Sequence, residues 1–230
     1  MLADRNSDWQ IRQITRFLGR AVISIRVIDL SMLSAEHLAT LHDQLTRGWH
    51  EGSSASPDID NEWFQRVARH HRANFDLWHI EDEARTPGAT DSDLASVKRR
   101  IDRTNQLRND LAEQLDCALL DHLASQSLPI PSAPLHSESP GLIIDRLSIL
   151  SLKIYHTREE AERVDAPRGH TERNQGRLAI LEEQRADLAG CLDVLWRETL
   201  AGTRRFKLYR QLKMYNDPTL NPAIYRQESK

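Results

Sequence analysis

The sequence has little of what disulfide-stapled, membrane-spanning or nucleic-acid-binding proteins are built on. Two cysteines, Cys117 and Cys191, are too few for a disulfide framework in 230 residues. Both fall in apolar, helix-forming stretches and read as small buried hydrophobes in a reducing compartment. No run of 18 apolar residues exists, so a membrane span is not expected. Charges interrupt the apolar run near Met1, against the pattern of a signal peptide. These absences together predict a cytoplasmic protein. The net charge is only −3, so the whole molecule is not an electrostatic nucleic-acid binder. With nine glycines and 6% aromatics, it shows no Gly-rich phosphate loop. Nor does it show a zinc motif or a Ser/His/Asp arrangement at a telling spacing.

What is abundant is Leu, Ala, Glu, Arg and Gln, which favours helix. Residues 1–31 stand apart as a basic amphipathic extension and are expected to lie outside the domain, which is expected over residues 32–226. Ser34 is an N-cap candidate for a helix ending near Gly48. The loop from Glu51 to Asp60 precedes a helix from Asn61 to about Arg85. Thr86-Pro87-Gly88 stops it, and Thr90 with Asp93 makes a capping box for the next helix, which reaches about Ser125. This first hairpin, residues 61–125, is followed by a Pro-rich linker, 126–139. Ser139-Pro140 opens a second hairpin, 140–200, turned by Asp165-Ala166-Pro167. A basic-aromatic helix is expected over 203–217.

The hairpins repeat. Leu77-Trp78-His79-Ile80-Glu81-Asp82-Glu83-Ala84 returns as Ile154-Tyr155-His156-Thr157-Arg158-Glu159-Glu160-Ala161, and Arg108 to Asp116 returns as Arg185 to Asp193, both at an offset of 77. The second helix of each copy carries a stripe spaced by three and four: Val97, Ile101, Thr104, Arg108, Leu111, Leu115 and Ala118, then Asn174, Leu178, Leu181, Arg185, Leu188, Leu192 and Leu195. A helical bundle buries such a stripe. The fold class is therefore all-α: a bundle of two pseudo-repeated hairpins with further helices at each end. Trp49, Trp63 and Phe64 either finish that bundle or serve a homodimer.

An arginine within a buried seam needs a carboxylate, because an unpaired buried charge costs several kcal/mol. The spacing predicts structural ion pairs of Arg108 with Asp82 or Glu81, and of Arg185 with Glu159 or Glu160. The first hairpin also holds polar residues that a bundle does not need in order to fold. His71, Asn74, Trp78, Glu81 and Arg85 share one helix face; Asp102, Asn105, Asn109 and Asp116 line the next helix. The first five, with Asp102, Asn105 and Asn109, are the ligand-binding candidates. Catalytic residues are not identifiable.

Four stretches resemble one bacterial family. They are His71-Arg72-Ala73-Asn74-Phe75-Asp76-Leu77-Trp78-His79-Ile80-Glu81-Asp82-Glu83-Ala84-Arg85 with Lys98 to Asp110, Pro140 to Leu150, and Phe206-Lys207-Leu208-Tyr209-Arg210-Gln211-Leu212-Lys213-Met214-Tyr215-Asn216-Asp217-Pro218. Together they resemble the family catalogued as domain of unknown function 4254, over about Met32 to Tyr225. The resemblance implies no established activity. It implies a setting beside sugar-transfer and cell-surface polysaccharide proteins, and a start near Met32.

Other chemistry is weaker. His79 with Asp82 and His156 with Glu159 are His-x-x-acid pairs that suit a divalent metal, although carboxylate bundles use the reverse order. Glu81-Asp82 with Asp102 or Asp110 is similar to the acidic sets of helical nucleotide pyrophosphatases, but the Glu-Glu-x-x-Glu motif is missing. Arg205, Lys207, Arg210 and Lys213 are phosphate-binding candidates, with Tyr209 and Tyr215 for stacking. Two readings follow. One is a non-catalytic accessory or scaffold with a partner protein in envelope glycan assembly. The other is a metal-assisted enzyme or binding protein for a phosphorylated sugar or nucleotide, sited in the first hairpin.

Overall fold

Local signals set where each helix begins. The structure, a computed structural model, describes residues 33–52, 59, 61–212 and 219–222. The expectation for residues 1–31 lies outside these. The Ser34 side chain accepts the His37 amide and starts α1, Ala35–His50. Asn61 accepts the amides of Trp63 and Phe64 at the head of α2, Glu62–Glu83. Thr90 and Asp93 close the expected capping box ahead of α3, Asp91–Ala124. Pro140 opens α4, Pro140–Glu162, and α5 spans His170–Leu200. Among the described residues there are five helices and no strand. None is long and apolar enough to cross a membrane.

One core draws on every helix. Leu38, Trp63, Val67, Leu115, Leu119, Ile143, Ile144, Leu147, Leu192 and Trp196 are buried together. Both arginine-centred stripes face inward, with Leu111, Leu115 and Ala118 buried in one and Leu188, Leu192 and Leu195 in the other. Trp63 and Phe64 finish this core, and Trp49 stacks on His71 and meets Phe75 edge-on. The cysteines depart from expectation: Cys117 is half-buried and Cys191 exposed. Cys191 shares the outward face of α5 with Gln184 and Asp187, beyond the reach of the inward stripe.

The repeat is visible as geometry. His71 Nδ1 lies 2.7 Å from the hydroxyl of Ser148, its repeat equivalent. The rings of His79 and His156, also equivalents, stand 5.9 Å apart. Two equivalent contacts eight residues apart require α2 and α4 to run side by side in the same direction. Helix α1 joins them in parallel, since His42 stacks on His71 and His50 packs against His79 and His156.

Asp116 and Asp193, a further equivalent pair, do the same work. Asp116 accepts the Gly141 amide at 2.7 Å and caps α4; Asp193 accepts the Ala35 amide at 2.8 Å and caps α1. Ser139 stands at the N-cap of α4 but does not cap it. Its hydroxyl donates to Asp116 instead. Thus α3 is tied to α4 as α5 is tied to α1.

That arrangement corrects the predicted ion pairs. Arg108 approaches Asp145 of α4, Nε to Oδ1 3.7 Å, and Arg185 Nη1 donates to both oxygens of Asp43 of α1 at 2.8 Å. Asp82 and Glu159 are not their partners. The stripe that carries each arginine faces the helix beyond its own hairpin, so the carboxylate comes from there.

The tail also departs from expectation. Residues 203–212 are not helical. The Arg205 amide donates to the Pro134 carbonyl at 3.0 Å, and the His136 amide to the Arg205 carbonyl at 2.7 Å. Linker and tail pair as two short extended segments, and Phe206 is 2% exposed in the core. Backbone bonds to the linker and burial of one aromatic outweigh local helix propensity here. Of the expected helix 203–217, residues 213–217 lie outside the described set.

Candidate functional site

Two polar regions lie along the α2–α4 seam, one inside the bundle and one opening from it. The inner one begins at His71. Its ring sits between two hydroxyls, Thr46 Oγ1 at 2.9 Å and Ser148 Oγ at 2.7 Å. A neutral imidazole donates through one nitrogen and accepts through the other, so both hydroxyls are satisfied. Burial, reinforced by His70, holds its pKa down at about 3. His42 stacks on it at 4.4 Å and is also held well below its ordinary value, chiefly by burial and then by His71. His71 was a ligand candidate, but its position makes it a buried hydrogen-bonding strut.

Asp145 is the hub of the same region. Its Oδ1 lies 3.0 Å from His70 Nε2 and 3.0 Å from Asn74 Nδ2, which also donates to Ser148. Burial pushes this carboxyl up, yet His70, Arg108 and Asn74 together hold it below the ordinary range. Arg108 is the link outward. Its Nε is buried with no hydrogen-bond acceptor, while Nη2 makes a long contact of 3.4 Å with Asn109.

Arg108 stands in the wall of a groove of ≈ 440 Å³ between α2, α3 and α4. Asn74, Trp78, Glu81 and Arg85, four sequence candidates, line it with Asp82. Leu77, Ile149 and Leu152 supply apolar wall. Asn74, Trp78 and Glu81 recur every three or four positions of α2, which puts them on one face, and Arg85 follows four residues on, just past the end of the helix. Arg85 and Glu81 form a pair at 3.3 Å. The other candidates are not brought here. Asp102 is paired with Lys98, and Asn105 does not line the groove. Asn109 lies buried behind Arg108.

On the other side of Trp78 is a cluster of histidines. The indole stacks on His156 with centroids 4.9 Å apart and planes within 9°. One ring nitrogen from each of His50, His79 and His156 lies within 4.8 Å of the others. The expected metal candidates are thus divided. His79 and His156 meet; Asp82 lines the groove instead, and Glu159 contacts His156 Nδ1 at 2.9 Å. His50 went unnoticed in the sequence.

The phosphate candidates of the tail do not converge. Arg205 Nε donates to the Ala133 carbonyl, Lys207 lies over the Tyr209 ring, and Arg210 pairs with Glu113. Lys213 lies outside the described residues. Each of the three is held by a different neighbour, because the extended chain splays side chains that a helix would have gathered on one face.

The family described as protein of unknown function (DUF4254) matches residues 64–208, most of both hairpins, and the chain belongs to it. No curated protein and no solved structure shows significant similarity to the chain.

Proposed function

We propose that this DUF4254 protein binds a phosphorylated sugar or a nucleotide in the groove between α2, α3 and α4. The observation that carries the reading is one wall holding both an indole and a guanidinium that stays partly exposed. Trp78 and Arg108 both line the groove, and the Arg108 side chain, 23% exposed, is braced from within the bundle by Asp145, whose Oδ1 lies 3.7 Å from its Nε. A guanidinium matches phosphate oxygens geometrically, and an aromatic face suits a sugar or base ring. Glu81, Asp82 and Asn74 supply acceptors for hydroxyl or amino groups. The volume falls within the range of small-ligand sites. A sugar-phosphate ligand also fits the setting beside sugar-transfer proteins that the family resemblance implies.

The test is a thermal-shift panel of nucleotides, nucleotide-sugars and sugar phosphates, run with EDTA. At about 100 times its dissociation constant, a ligand adds about 2.7 kcal/mol, or about 5–10 °C in Tm for a chain of this size. Arg108→Met and Trp78→Ala should each remove the shift, while Arg185→Met, remote from the groove, should keep it. A silent panel, or an equal shift in Arg108→Met, overturns the site. Silence accompanied by a stable protein partner in pull-downs returns the reading to a non-catalytic accessory of glycan assembly.

A further inference from the structure

The three histidines on the far side of Trp78 come from three parallel helices, and each ring is anchored through its Nδ1. His50 Nδ1 lies 2.8 Å from the Thr46 carbonyl, and His79 Nδ1 lies 2.8 Å from the Phe75 carbonyl. A carbonyl only accepts, so both Nδ1 atoms carry the proton. His156 Nδ1 is 2.9 Å from the Glu159 carboxylate and donates in the same way. Every ring therefore keeps a bare Nε2 lone pair, and one nitrogen of each ring lies within 4.8 Å of the others. Nε2 of His50 and of His156 is buried without a hydrogen-bond partner among the described residues. Ring centroids are separated by 5.0–5.9 Å.

Aromatic packing alone does not explain this. Three imidazoles that merely filled space would gain by turning a nitrogen outward or toward a donor, because an unpaired buried acceptor costs about 1–3 kcal/mol. Here two such acceptors converge instead. A carbonyl or carboxylate on Nδ1 is the support that metal-ligating histidines use, since it fixes the tautomer and raises the basicity of Nε2. The aromatic neighbours hold the rings in place: Trp78 against His156, Tyr155 against His50 at 4.4 Å, and Phe75 against His79 at 4.3 Å.

We propose that His50, His79 and His156 bind one late first-row divalent cation, of which zinc is the type, through their Nε2 atoms. Neutral imidazoles suit zinc, cobalt and nickel rather than magnesium or calcium, which take oxygen ligands. Nitrogens bound at about 2.0–2.1 Å to a tetrahedral ion stand about 3.3 Å apart, so nitrogens now within 4.8 Å close inward by small side-chain rotations. Three protein ligands leave a fourth position for water or substrate, the pattern of catalytic rather than structural zinc. The site stands independently of the groove ligand, although the Trp78–His156 stack gives the two regions a shared wall.

The test uses the untagged full chain, stripped with EDTA and titrated with Zn²⁺ and separately with Co²⁺. The expected result is one equivalent bound per chain, with visible cobalt absorption of a four- or five-coordinate nitrogen site. His50→Ala and His156→Ala should each weaken binding at least 100-fold, and Glu159→Gln about 10–100-fold. His37→Ala, exposed on α1, should leave it unchanged. Circular dichroism confirms that each variant is folded, and His156→Gln serves if the alanine variant is not. Absence of stoichiometric binding, or binding that survives His50→Ala and His156→Ala together, overturns the site. Loss of nucleotide or sugar-phosphate binding with cobalt binding intact sinks only the groove.

Discussion

Acid should unfold this protein early, and His71 is a principal reason. The ring is fully buried between Thr46 and Ser148, and its pKa is held at about 3 against 6.5 in an unfolded chain. The sign follows from which state takes the proton first. Between these values the unfolded chain is protonated and the native ring is not, so acid favours unfolding. The stability is fully present above about pH 6.5 and is lost as pH falls toward 3. At 1.36 kcal/mol per pH unit, about 2 kcal/mol is gone by pH 5 and about 3 kcal/mol by pH 4. His42, stacked on the same ring and held low by burial, acts in the same direction. The perturbation is His71→Gln, whose amide meets both hydroxyls without titrating. Urea unfolding followed by circular dichroism at pH 7, 6 and 5, with EDTA present, gives the comparison. The variant should start less stable at pH 7 but lose about 2 kcal/mol less than wild type by pH 5. Equal losses in the two proteins would refute the argument.

Asp116 should show the opposite pH dependence. Burial raises its pKa to about 6 despite bonds from Ser139 and Gly141, so its cost is present above that value and relieved as pH falls through 6 toward 3.8. Asp116→Asn should therefore be more stable than wild type at pH 7, with an advantage that shrinks by about 1 kcal/mol at pH 5 in the same unfolding series. Gly141→Ala should lower stability by about 1–3 kcal/mol in urea unfolding, because a Cβ there would lie 2.4 Å from the Ala112 carbonyl oxygen. A double-mutant cycle on Arg185 and Asp43 should give a coupling of about 0.5–1 kcal/mol, whereas Arg185 with Glu159 should give none; the reverse would restore the pairing expected from the repeat.

Much of the architecture could be read in the sequence because it rests on local signals. The Ser34 cap, the Thr90–Asp93 box and Pro140 each announce a helix start within four residues of chain. The stripes around Arg108 and Arg185 announce their own burial by period alone. The ion pairs were misassigned because a stripe shows that a side is buried, not which helix covers it. Asp43 and Asp145 lie on helices that only the packing brings near. The tail misled for a related reason: Arg204 to Leu212 has helical propensity, and its pairing with Pro134 and His136 is non-local. Half of the groove was legible, since Asn74, Trp78, Glu81 and Arg85 share a face at helical spacing. The other half, Arg108 and the α4 residues Ile149 and Leu152, depended on how α2, α3 and α4 meet. The histidine cluster did leave a trace. His42 and His50, His71 and His79, and Ser148 and His156 are each eight residues apart, so three parallel helices carry the same rungs. His50 was overlooked because α1 lies outside the repeat.

The central claim, that the groove beside Trp78 takes a phosphorylated sugar or nucleotide, is tested most directly by the indole N–H resonance of Trp78. Trp78→Phe assigns it in the proton–nitrogen correlation spectrum. Titration with a nucleotide-sugar in EDTA should shift this resonance saturably, leave that of the core residue Trp63 in place, and produce no shift in Arg108→Met. A ligand that binds without moving the Trp78 signal, or moves it equally in Arg108→Met, would contradict the account.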